Sequence, residues 1–167
     1  MRRATFPHAL LAACGGFLIA TLWFDLMFDT LVLGQAVAPA PLPEAVIASI
    51  AGYYRRVTTD AHPMQQMIGA VMAVAVLVGL WDLRHRSHRI LRAVALLTSV
   101  VPIGFAAVRV FPDAVRLGAG TGSPAEQSAL ARGIFGGHVF CLGSIVTFTA
   151  IQIILAALRH RENDGDR

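Results

Sequence analysis

Asp25 and Asp29 stand inside an otherwise apolar run, Leu10 to Leu33. Four residues apart on a helix, they share one face. A carboxylate at bilayer depth is costly, so it turns toward a partner, a cavity or a site rather than toward lipid. Beside an imidazole it can hold and pass a proton near neutral pH. His138 supplies such an imidazole in the last apolar run, and Arg109 supplies a cation at the end of the third. These four residues are the candidate catalytic groups. Asp25, Asp29 and His138 would move a proton, and Arg109 would serve as counter-ion or stabilise an anion. The chemistry suits a lipid-soluble phenol or quinone that enters from the membrane.

The elements that must position these groups are helices. The chain has 167 residues, 56% of them hydrophobic, with a mean hydropathy of +0.63. Four apolar segments, about 10–33, 64–81, 90–110 and 134–158, each approach the roughly 20 residues needed to cross a bilayer as a helix. A membrane barrel would instead show alternating segments of about ten residues. The expectation is an all-α integral membrane four-helix bundle, with residues 1–167 forming a single transmembrane domain.

All 14 basic residues are arginine, a bias that fits a GC-rich bacterial genome. They gather at segment ends rather than along one soluble face, which argues for membrane anchoring and against nucleic acid. Arg2, Arg3, Arg84, Arg86, Arg89, Arg92, Arg159, Arg161 and Arg167 fall on one side. By the positive-inside tendency that side is the cytoplasm. Both termini are then cytoplasmic, loops 34–63 and 111–133 face outward, and the location is a cell inner membrane, multi-pass. The partners implied are the lipid bilayer and a lipid-soluble small molecule, with an oligomer or partner subunit left open.

The first outer loop has structure of its own. Pro43 and Glu44 suit a helix start. Ile47, Ile50, Ala51 and Tyr54 recur at helical spacing. The pattern predicts an interfacial amphipathic helix over about 43–57, anchored by Tyr53 and Tyr54 and able to cover the bundle. Thr58-Thr59-Asp60 reads as an N-cap for the second span. Ser123-Pro124-Ala125-Glu126 reads as a capping box for the fourth. Pro102 predicts a kink in the third.

Depth then brings the polar residues together. Asp25 and Asp29, Gln65 and Gln66 with His62, Arg109, and Arg132 with His138 all fall in the outer half, one set from each span. The cytoplasmic half reads as nearly all apolar, with Asp82 pairing with arginines at the surface. Tyr54, Arg55, Arg56, His62, Gln66 and Arg132 are candidate ligand-binding residues. No metal is assigned; if one bound, Asp25, Asp29, His62 and His138 would be its ligands. The cofactor is unknown.

Several features imitate other things. Met1-Arg2-Arg3 followed by Leu11-Ala12-Ala13-Cys14 resembles a leader with a lipoprotein box. Pro7 and His8 leave its apolar core short, and a retained first helix is expected. Gly118 to Gly122 resembles a phosphate loop but lacks the strand before and the Gly-Lys-Ser/Thr after. Cys14 and Cys141 are placed at depths more than about 10 Å apart, too far for a disulfide.

Tyr53-Tyr54-Arg55-Arg56, Val101-Pro102, Arg109 with Phe111-Pro112, and the entry from Arg132 to His138 together resemble the small four-helix membrane proteins related to anthrone oxygenase. Gly104 stands where the family-like pattern carries asparagine. The resemblance spans most of the chain through short motifs. It implies an oxygenase acting on a lipid-soluble aromatic molecule, with Arg109, Arg132 and His138 as site residues. The residues themselves leave three readings open: a membrane oxidoreductase or oxygenase, a proton-linked transport subunit, and a non-catalytic subunit or small-ligand binder.

Overall fold

A computed structural model describes residues 6–35 and 40–165, with side chains to residue 162. Arg2, Arg3 and Arg167, used above to orient the chain, lie outside the described residues. Every regular element among the described residues is helical. Helix α1 (Phe6–Asp29) ends in a short tighter turn, Thr30–Val32. Then come α2 (Glu44–Thr59), α3 (His62–Asp82) and α4 (Arg89–Phe105). A single wide turn, Ala106–Val110, leads α4 directly into α5 (Phe111–Gly118). Helix α6 runs from Pro124 to Gly165.

Four stretches are long and apolar enough to cross a membrane: Phe6–Val32, His62–Asp82, Arg89–Gly118 and Pro124–Glu162. Their outward faces are apolar as well. Ile90, Val108, Leu77 and Trp23 are 82%, 69%, 65% and 62% exposed. Such surface is compatible with hydrocarbon and would be an aggregation hazard in water. The fold is therefore that of a multi-pass membrane protein.

The four spans close into a ring. Helix α1 packs against α3 and α6, and α4 packs against the same two from the other side. Two glycines let α6 approach closely. A side-chain carbon on Gly15 would collide with Thr149, and one on Gly137 would collide with Val110 and press on Phe105. Small residues serve this purpose in membranes because packing, rather than water exclusion, holds the helices together. Phe148, Leu11, Ala95 and Leu155 fill the middle and one end of the ring. A second apolar cluster, with Ile50, Tyr54, Leu117 and Ile134, joins α2 to the other end.

Helix α2 lies across that end because one of its faces is apolar. Ile47, Ile50, Ala51 and Tyr54 are the residues it buries. It packs chiefly on α5 and also touches α3, α6 and α1. Gly118 makes the α5 contact possible, since a β-carbon there would meet the Arg55 backbone at 2.9 Å. Arg55 Nε donates to the Gly118 carbonyl at 3.1 Å.

Several local expectations change. The stretch 111–133 is mostly helical: α5 fills 111–118, and only 119–123 connects it to α6. The Thr58-Thr59-Asp60 cap does not form. Both threonine hydroxyls donate back to carbonyls within α2, and Asp60 closes α2 instead. Threonine in a last helical turn has a carbonyl one turn back within reach, and that bond wins. The Ser123–Glu126 capping box does form: Ser123 N donates to Glu126 Oε2 at 2.7 Å and Glu126 N donates to Ser123 Oγ at 3.3 Å. At Pro102, whose ring removes a helical donor, the neighbouring Cys141 thiol donates to the Pro102 carbonyl at 3.7 Å. Cys14 and Cys141 are both free and buried.

The largest departure is at the end of the bundle away from α2. That half is not all apolar. His8, Asp82, Arg92 and Gln152 are all nearly inaccessible there, one from each span. Asp82 does pair with an arginine, Arg92, but as a buried ion pair with side chains 3% and 1% exposed. The hydropathy of each span hides these residues singly; only the ring brings them together.

Candidate functional site

The two aspartates of α1 meet the two tyrosines of α2. Tyr53 donates to Asp25 Oδ1 at 2.6 Å, and Tyr54 donates to Asp29 Oδ1 at 2.7 Å. Neighbouring residues on one helix thus reach successive turns of the other. Tyr53 is held further by stacking on Phe28, with ring centroids 4.1 Å apart. The phenols stay protonated. Burial, then the nearby carboxylate charges, pushes both tyrosines well above their ordinary range. They are therefore permanent hydrogen-bond donors to the carboxylates.

His138 of α6 stands between the aspartates. Its Nδ1 lies 2.6 Å from Asp29 Oδ2, and its Nε2 lies 3.8 Å from Asp25 Oδ2. Asp29 also accepts from Tyr54, so the natural assignment has Nδ1–H donating to an ionised Asp29. That leaves Nε2 to face Asp25. A carboxylate on one imidazole nitrogen fixes the tautomer and aims the other nitrogen, the logic of many His-based acid–base centres. Asp29 is fully buried, whereas the Asp25 side chain keeps 16% of its surface. Asp29 is thus the supporting group and Asp25 the presented one.

The presented side faces a cavity of about 550 Å³ lined by all four spans and α2. That is ample for a drug-sized ligand. Asp25, Tyr53, Tyr54 and His138 form its polar wall, while Asp29 stays behind them. The rest is nearly all apolar, with Phe17, Leu18, Ile68, Met72 and Ile145 among the lining residues. Polar groups converge at one wall, so a bound molecule would be oriented by one functional group and otherwise held by shape.

The other expected residues are elsewhere. Arg109 lies in the wide turn after α4 and is exposed, away from the carboxylates it was expected to face. Depth brought Arg109 to the right end of the span but could not say which side it faces. Arg55 binds the Gly118 carbonyl, and Arg56 is exposed. His62 and Gln66 are exposed at the start of α3. Arg132 donates to the Ala40 carbonyl at 2.8 Å, tying α6 to the chain entering α2. Among the described residues no cluster of three or more His, Cys, Asp or Glu is arranged to hold a metal ion. With His62 exposed at the start of α3, the four residues named as ligands in case a metal bound are not brought together.

Sequence reasoning assigned Tyr53 to the membrane interface and missed it as a cavity residue. It placed Gln65 among the outer polar residues but named Gln66 as the candidate, whereas Gln65 lines the cavity and donates to the Val57 carbonyl. The available signal was the match between two adjacent tyrosines on one helix and two aspartates one turn apart on another. No protein-family model matches the chain, and neither the curated proteins nor the solved structures contain a match to it.

Proposed function

We propose that the protein is a bacterial inner-membrane oxidoreductase of the oxygenase type, acting on a lipid-soluble aromatic molecule. One observation carries the reading: His138 is backed by buried Asp29 and directs Nε2 toward Asp25 at the wall of an apolar cavity. The likeness of short motifs to the proteins related to anthrone oxygenase adds the choice of oxidation over other proton chemistry.

In this reading, the substrate carries an acidic C–H, such as a methylene between aromatic rings conjugated to a ketone or phenol. His138 Nε2 accepts the proton, and the Asp29 carboxylate stabilises the imidazolium that forms. Asp25, steadied by Tyr53, is the next acceptor within reach. The enolate or phenolate left behind is electron-rich and reacts with dioxygen. Over the reaction the methylene becomes a carbonyl, gaining one oxygen atom. Its two hydrogens leave with the other oxygen as water, so dioxygen is the oxidant. A positioned general base contributes about 10²- to 10⁴-fold to such a step. The α2 end, with its cavity, faces outward, and the arginine-rich turn between α3 and α4 faces the cytoplasm.

The test is oxygen uptake and quinone formation by the protein in lipid nanodiscs supplied with anthrone. Wild type should turn over, and His138→Ala and Asp25→Asn should not. Absence of uptake by folded wild-type protein, or equal uptake by all three, would overturn the reading. A second reading, a non-catalytic binder of the same class of molecule, draws support from both phenols being already committed to carboxylates. It would show as saturable binding without turnover.

A further inference from the structure

A second, smaller cavity of about 270 Å³ opens beside the first. Thr58, Gln65, Ile68, Met72 and Phe111 line both, so the two spaces adjoin across these side chains. The remaining walls of the smaller one are Gly69 and Val115. It therefore lies between α3 and α5, beneath the last turn of α2. Its rim is apolar and turned outward: Phe111 is 42% and Val115 53% exposed. There is open space at Gly69, where a β-carbon would meet nothing within 4 Å.

The polar wall and this gap lie on different elements. Asp25 and His138 belong to α1 and α6, whereas the gap is bounded by α3 and α5. For a molecule whose polar ring sits at His138, the smaller cavity is therefore the adjoining, mostly apolar way from its far end toward the lipid. A compact tricyclic molecule has no use for such a passage. A ring bearing a hydrocarbon chain needs one, because a flexible chain forced to fold inside the main cavity would lose rotamer freedom that it keeps in lipid.

We propose that the molecule bound at this site is a tailed aromatic amphiphile, a ring system that carries the acidic methylene beside a ketone or phenol together with an alkyl or prenyl chain, for whose ring and tail a tailed quinol is a binding stand-in. Its ring sits against the Asp25–His138 wall and its tail leaves through the gap between α3 and α5. This rests on the reading of the cavity as a site for a lipid-soluble aromatic molecule. The tail gains little affinity by leaving lipid, since the passage and the bilayer are equally apolar. The passage therefore acts by admission, and blocking it should discriminate by tail.

The experiment uses full-length protein in nanodiscs and two probes, decyl-benzoquinol and methyl-benzoquinol, with binding expressed against their concentration in the lipid. Wild type should bind both, and His138→Ala should weaken both. Gly69→Trp fills the gap from a position with free space around it, so the fold is kept. It should weaken decyl-benzoquinol at least about tenfold, the scale of an overpacking clash, and leave methyl-benzoquinol unchanged. Gly143→Trp, outside both cavities, should change neither. A diazirine at the end of the decyl chain should label the Gly69–Met72 turn or Val115. If Gly69→Trp leaves both probes unchanged or weakens both equally, or if label falls only on α1, the tail passage is wrong while the ring site stands. If wild type binds neither probe, the ring site fails and the passage with it.

Discussion

The bundle holds two buried polar clusters, one at each end, and they are built on opposite principles. At the α2 end, two carboxylates surround one imidazole and are supplied with hydrogen bonds by two phenols. At the other end, Asp82 is paired with Arg92, and His8 Nδ1 lies 2.9 Å from Gln152 Oε1. The first borders a cavity, and no member of the second lines either cavity. The first balances negative charge with protons; the second balances it with a permanent cation. Arginine cannot give up its proton under ordinary conditions, so an Asp–Arg pair locks charge in place. An Asp–His–Asp arrangement leaves the position of a proton open. Under the proposed function, the difference makes the α2 end the place for chemistry and the other a clasp across all four spans.

The comparison is broken most severely by exchanging the fates of the two histidines. His138→Ala should reduce turnover by about 10²- to 10⁴-fold while leaving the fold intact. His8→Ala, which removes the other buried imidazole, should leave turnover within a small factor of wild type and lower the unfolding temperature instead. Steady-state oxygen uptake and thermal unfolding of the two variants side by side check both halves. Equal losses of turnover would mean that the ends are not functionally distinct.

Next in size is the clasp itself. Removing one partner of a buried ion pair strands the other charge at a cost of about 3–5 kcal/mol. Arg92→Ala should show that loss in denaturant unfolding from detergent micelles. Replacing the pair together, Asp82→Leu with Arg92→Met, should recover most of it, because two well-packed apolar residues remove the desolvation penalty. His8 Nε2 and Arg92 Nη2 already lack a hydrogen-bond partner among the described residues, so the clasp is not ideally satisfied even in wild type. A double variant no more stable than Arg92→Ala would show that the cluster does more than hold charge.

What the sequence made legible follows from the range of each signal. Span length and hydropathy are local sums, and all four spans stand where apolar length required them. The periodicity of Ile47, Ile50, Ala51 and Tyr54 is also local, and those residues form the buried face of α2. Asp25 and Asp29 stood out because charge contrasts with an apolar run. The contrast failed for Asp82 and Arg92, which sit at the ends of their runs, where charge is ordinary. Arg109 was placed by depth, and depth fixes the end of the span a residue sits at but not the side it faces; in the wide turn Ala106–Val110 it is exposed. The pairing of Tyr53 with Asp25 and of Tyr54 with Asp29 depends on how α2 crosses α1, which only the assembled ring determines.

The tyrosines allow a finer cut within the reactive end. Tyr54→Phe removes a donor to fully buried Asp29, and a hydrogen bond to a charged group contributes about 1.5–3 kcal/mol. Tyr53→Phe removes the equivalent bond from Asp25, which retains some exposure and can recruit another donor from the cavity. Tyr54→Phe should therefore cost more stability, and Tyr53→Phe should act mainly on turnover by loosening Asp25. Reversed rankings would mean that Asp29, not Asp25, faces the substrate.

The smallest effect is a pH effect, and the chain is well suited to reading it. Tyr53 and Tyr54 are its only tyrosines, so phenolate absorbance reports this cluster alone. Both phenols are pushed up, first by burial and then by the adjacent carboxylates. Unfolded tyrosine ionises near about 10. In the folded protein, phenolate absorbance should therefore stay absent at pH values where denatured protein shows it fully. Above that pH the unfolded chain has released protons that the folded chain still holds, so stability must fall as pH rises. The contribution is fully present below about pH 10 and shrinks steadily above it. The clasp end holds no tyrosine, so Tyr53→Phe with Tyr54→Phe should abolish the alkaline loss. If the loss persists in that double variant, the alkaline weakness belongs to other groups and the phenols do not hold their protons against the carboxylates.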